Sequence, residues 1–159
     1  MFRNSKKQGD AGLGQAIAYF SMKGYDIALP LTDSTDWDLI VEMEDGLKRI
    51  QVKTSFQMRE DTAIVDASVK GGNKSSSSKK NIQDQSWDYL FVHHFETKQQ
   101  ALIPKEVITS QGQINLGKKY SQYLISQKFG LKVFMDAYWL VTPEDGDRYP
   151  VGPPRFRYK

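Results

Sequence analysis

Residues 38–55, DLIVEMEDGLKRIQVKTS, limit what this chain can fold into more than any other stretch. Two runs alternate apolar and polar residues on either side of an Asp45-Gly46 pair. That pattern predicts two antiparallel strands joined by a tight turn. With Asp45-Gly46 as a two-residue turn, Glu44 faces Leu47, Ile40 faces Gln51 and Asp38 faces Lys53. Side chains alternate along each strand, and opposed residues share a face. One face then carries Leu39, Val41, Met43, Ile50 and Val52, and the other carries Asp38, Ile40, Glu42, Arg49, Gln51 and Lys53. A slip of one residue would put Asp38 on the Val52 side, so an apolar face that covers a core fixes the pairing.

Asp38, Gln51 and Lys53 are therefore expected at one end of the polar face. Two readings fit that cluster. In the first it is a solvated face with a cross-strand Asp–Lys pair, worth ~0.2–1 kcal/mol. In the second it is a metal centre. Asp38 is a hard oxygen ligand of the kind magnesium takes in small numbers, beside its waters. Gln51 offers an amide oxygen or a contact to a bound water. Lys53 supplies positive charge against a phosphate under attack and is placed to orient or deprotonate the attacking water.

The rest of the chain reads as a single domain over 1–145 and a basic, Pro-rich tail over 146–159. Asp10 as an N-cap, the apolar residues Ala11, Ile17, Ala18 and Phe20, and Gly24 beyond them predict a helix over 10–23. Gly12 and Gly14 each cost about 1 kcal/mol inside a helix, which predicts close approach of a backbone or ligand there. GDAGLG follows no strand, so it is not read as a phosphate-cradling loop. Strands are expected at 25–31, 61–69, 86–95 and 99–104, a helical turn in KEVITS, and a second helix or structured loop at 117–127. The apolar segment 131–141 favours helix. His93 and His94 are adjacent in a strand, so they point to opposite faces and do not share a metal.

Composition narrows the chemistry. There is no cysteine, which removes disulfides, zinc–thiolate sites and thiol nucleophiles. No run of about 18 apolar residues is present, so no membrane span is expected, and the N-terminal residues lack the apolar core of a secretory signal. A cytoplasmic location is the expectation. The formal charge is +3, with basic spots at Lys6-Lys7, Lys79-Lys80, Lys118-Lys119 and the terminal RFRYK. Those spots suit either a nucleic-acid partner or an ordinary solvated surface. GGNKSSSSKK is a flexible linker or a loop that meets DNA phosphates. In the second case Lys70, Asn73, Lys74, Lys79 and Lys80 are the candidate contacts, with Lys118 and Lys119 of GKKYSQY beside tyrosines.

DWDLIVEMEDGLKRIQVKTS resembles the PD-(D/E)XK nuclease superfamily, and more narrowly its small group I intron-encoded homing endonucleases, whose third motif residue is glutamine. KQGDAGLGQAIAYFSMKGYDIALPL resembles that branch's opening helix and strand, and GGNKSSSSKK, WDYLFV, ALIPKEVI and INLGKKYSQY resemble its later landmarks in order. The resemblance implies an α/β fold with a restriction-endonuclease-like αβββαβ core, a mixed, largely antiparallel sheet flanked by helices. It implies hydrolysis of double-stranded DNA with Mg2+, for which Mn2+ can substitute. It makes Asp38 the metal-binding aspartate, Gln51 the third motif residue, Lys53 the motif lysine, and the Val52 carbonyl a backbone metal ligand.

One departure stands out. The family often places a glutamate eleven residues before the glycine of its GY pair, and Leu13 stands there. Asp10 is the candidate replacement acid, and Gln15 a weaker one. The resulting expectation is a site-specific DNA endonuclease working as a homodimer or homotetramer, since one centre cuts one strand. The alternatives are a Holliday-junction resolvase or repair-type nuclease, a catalytically silent DNA-binding protein on the same fold, and a non-nuclease domain whose hairpin is a solvated face.

Overall fold

The computed structural model describes residues 4–32, 34–67, 82–109 and 112–125. All of them fall within the unit Met1–Gln127. The loop lysines Lys70, Lys74, Lys79 and Lys80, Asn73, the segment 131–141 and the tail 146–159 lie outside the described residues.

Helix α1 runs from Ser5 to Met22, five residues earlier than Asp10 suggests. Asn4 is the cap: its side chain accepts the Lys7 N–H at 2.9 Å. Asp10 is thus not a cap but lies inside the helix. The first turns, SKKQ, carry no apolar periodicity, which is why the sequence pattern starts too late. Gly24, at φ +78°, closes the far end as expected.

Six strands make the main sheet: β1 (Asp26–Ala28), β2 (Leu39–Met43), β3 (Gly46–Ser55), β6 (Tyr89–His94), β7 (Gln100–Pro104) and β9 (Leu124–Ile125), in the order β1-β2-β3-β6-β7-β9. Among the described residues only the β3–β6 pair is parallel, so the sheet is mixed and largely antiparallel. A smaller sheet holds β4 (Met58–Arg59), β5 (Thr62–Asp66) and β8 (Gln113–Asn115) in the order β4-β5-β8. KEVITS gives a 3-10 turn at Lys105–Val107, and Lys118–Tyr123 is a 3-10 helix leading into β9 rather than a second α-helix.

Helix α1 packs on one face of the main sheet. Ala16 and Phe20 meet Leu39, Val41, Ile50 and Phe91, all fully buried, with Leu13 and Val52 at the margin. Phe20, Leu39, Val41, Ile50 and Phe91 each contribute ~1.5–3 kcal/mol of burial. Gly12 lets the helix settle onto β3, since a Cβ there would stand 2.0 Å from the Thr54 methyl. Nothing lies within 4 Å of a Cβ at Gly14, so close approach explains one glycine and not the other.

The opposite face is not solvated. Ala63, Val65, Leu90, Val92, Ile103, Ile114 and Trp87 form a second core there, with the small sheet as its cover. Among the described residues this sheet takes the place expected of a flanking helix. β3 is therefore covered on both sides, and Gln51, on its polar side, is 7% exposed.

Candidate active site

The hairpin keeps the expected faces but not the expected partners. Its turn is Glu44-Asp45, and Met43 pairs with Gly46, Ile40 with Arg49 and Leu39 with Ile50. Among the described residues only Glu60 and Lys98 are non-glycines with positive φ, so Glu44 and Asp45 do not form the mirror-image turn that Asp45-Gly46 suggests. Gly46 instead follows the turn at φ +107°, in the manner of a type I turn closed by a glycine bulge. The register differs by two residues, which preserves every side and changes every partner. Asp38 stands beside Gln51, not opposite Lys53.

That shift builds the site. The Asp38 N–H donates to the Ile50 carbonyl at 2.8 Å, and the β2 ladder stops there. The N–H and C=O of Val52, two residues on, point towards the same edge of β3 as the Ile50 carbonyl. Asp38 Oδ2 accepts the Val52 N–H at 2.6 Å, so a carboxylate stands where the next strand residue would pair. The Gln51 amide nitrogen donates to the same Asp38 Oδ2 and to the Val52 carbonyl at 3.3 Å. Two hard oxygens thus converge on one donor.

Lys53 shares this side of β3. Burial pushes its ammonium below the usual lysine pKa, while the carboxylates of Asp38 and Asp66 pull part of the shift back. Asp66 ends β5 and carries no signal in the sequence, because nothing in DTAIVDASV shows which strand it will lie beside. Asp36 is a second such residue. It accepts the Ser86 N–H at 2.9 Å and the Ser86 hydroxyl, and so ties the segment before Asp38 to the segment before β6.

The remaining candidates are more scattered. Asp10 is exposed. It lies two positions from Gly12, which turns it roughly 160° away from the side of α1 that rests on β3. Leu13 packs into the α1 layer, and Gln15 accepts a hydrogen bond from Gln100 at 3.2 Å. Among the described residues no three His, Asp or Glu side chains gather as a metal cluster. Lys118 and Lys119 are exposed, with Lys119 bonded to the Thr109 hydroxyl at 2.7 Å and Tyr120 buried beneath them. His93 and His94 do point to opposite sides. The first meets Gln100 at 3.2 Å, and the second meets the Gln57 carbonyl at 3.0 Å and Thr97 at 2.9 Å.

A family model described as PD-(D/E)XK endonuclease matches residues 3–123. The chain belongs to the PD-(D/E)XK endonuclease family. A solved structure of a bacterial homing endonuclease, I-Ssp6803I, shares the fold, with a TM-score of 0.61 and 19% identity over 87% of this chain and 99% of that one. A search of curated proteins finds no match. Among the described residues of this PD-(D/E)XK chain, no helix is long and apolar enough to cross a membrane.

Proposed function

We propose that this PD-(D/E)XK protein is a Mg2+-dependent, site-specific DNA endonuclease of the intron-homing type. The observation that carries the reading is the convergence of Asp38 Oδ2 and the Val52 carbonyl on one point, with Lys53 on the same side of β3. Two hard oxygens fit Mg2+, and Mn2+ in its place, better than a softer metal. Asp38 and the Val52 carbonyl would hold the ion, which when bound polarises the scissile phosphate and lowers the pKa of a water.

The chain's own residues supply the rest. Asp38 is held rigid by the Val52 N–H and by its own backbone bond to Ile50. Lys53 brings positive charge that burial leaves poorly screened, where negative charge develops on the phosphate. It orients the attacking water. Lys118 and Lys119, with the lysines and Asn73 of the 70–80 segment, are proposed phosphate contacts that position the duplex. Double-strand cutting takes two copies, as a homodimer or homotetramer. Asp10 has no part in this reading, because it faces away from the sheet.

The test is incubation of the protein with plasmid and genomic DNA, with and without Mg2+, followed by sequencing of new ends. Defined ends that require Mg2+ support the reading. Lys53→Ala and Asp38→Asn are expected to lose cutting by at least ~100-fold, with Lys53→Ala still binding DNA. Normal cutting by either variant would refute the assignment. The neutral Gln51 and the apolar Leu13 favour one second reading, a DNA-binding protein that does not cut, which predicts salt-sensitive binding and no new ends at any Mg2+ concentration. Cutting of four-way junctions in preference to linear duplex would point to a resolvase.

A further inference from the structure

The Gln51 amide is turned the wrong way for a metal ligand. Its nitrogen, not its oxygen, faces Asp38 Oδ2 and the Val52 carbonyl. An amide nitrogen has two N–H donors and no lone pair to give a cation. It fills the electrostatic role of a small positive charge between two oxygens that would otherwise repel each other. The side chain is also nearly enclosed, at 7% exposure, so these bonds face little competition from water.

From this geometry we infer that Gln51 is an internal substitute for the cation, which a divalent metal must displace in order to bind. The inference rests on the reading of Asp38 and the Val52 carbonyl as metal ligands. The metal and the amide nitrogen compete for the same two oxygens. Half a turn about the Cγ–Cδ bond removes the nitrogen and presents Oε1 to a metal-bound water. The Val52 N–H keeps its bond to Asp38 at 2.6 Å throughout, so the carboxylate stays in place while the amide turns. A glutamate at this position would lack the donor and leave two carboxylates side by side until a metal arrived. Glutamine keeps the site assembled at low metal concentration, at the expense of affinity.

The test uses the full chain with Mn2+ as the probe. In Gln51→Met, a near-isosteric change that removes both donor and acceptor, the metal-free melting temperature is expected to fall by about 4 °C or more. Its Mn2+ affinity is expected to match the wild type's or exceed it by up to about tenfold. A Gln51→Met affinity more than about threefold weaker would make Gln51 a plain ligand and overturn the competition. An unchanged metal-free melt would overturn the substitute role. If Gln51→Met does not fold, the wild type decides by NMR. The Gln51 side-chain NH2 pair is expected to be protected from solvent without metal, and to shift and exchange faster on adding diamagnetic Ca2+ or Mg2+. Metal uptake without movement of that pair would refute this inference alone. No uptake of Mn2+, Mg2+ or Ca2+ by the wild type would refute the inference together with the nuclease reading.

Discussion

At the scale of single residues, Lys53 shows a conflict between folding and chemistry. In the proposed mechanism its charge is needed beside Asp38, yet burial disfavours that charge more than the two carboxylates restore it. Lys53→Met should therefore be no less stable than the wild type while abolishing cleavage, read by urea melts and plasmid nicking. A destabilised Lys53→Met would mean that the ion pairs outweigh desolvation. The shared side of Asp38, Gln51 and Lys53 was open to sequence reasoning, because period-two alternation puts them on one face. Asp66 and Asp36 were not, since each acts across a loop of undetermined path. Alternation alone also cannot show that Gln51 turns its nitrogen inward, because the orientation follows from where the Val52 carbonyl ends up.

At the scale of elements, the hairpin and the helix show what pattern can and cannot fix. Faces follow from alternation, and the apolar set Leu39, Val41 and Ile50 is buried as expected; the structure shows that its cover is α1. Register follows from the turn, which depends on the sign of φ at Glu44 and Asp45. Both residue types are tolerated in several turn forms, so the pairing came out two residues away. The start of α1 was hidden for a related reason: Asn4 and Asp10 are equally good caps, and the residues between them are polar. The two helix glycines give a paired prediction. Gly12→Ala should destabilise by about 1–3 kcal/mol through collision with Thr54, less the ~1 kcal/mol gained in helix propensity. Gly14→Ala meets nothing and should stabilise by about 1 kcal/mol. Denaturant melts of the two variants separate close packing from propensity.

At the scale of the whole molecule, stability should depend on acid through His93. Burial, with help from the charge of Lys98 and then His94, lowers its pKa from 6.5 to about 4. An unfolded chain takes up the proton below about pH 6.5, and the folded one resists until about pH 4. Stability is therefore retained above pH 6.5 and falls as the pH drops through that window, by up to about 3 kcal/mol. Melts of the wild type and His93→Gln between pH 4 and 7 should show a shallower slope in the variant; parallel slopes would place the loss elsewhere.

β3 is an interior strand, bonded to β2 and β6 and covered on both faces. It also carries Gln51, Val52 and Lys53. Local fraying at the ends of the sheet leaves those three residues in place, so the β3 part of the proposed site comes apart only when the centre of the sheet opens, whereas Asp38, just beyond the end of β2, is held by its bonds to Ile50 and Val52.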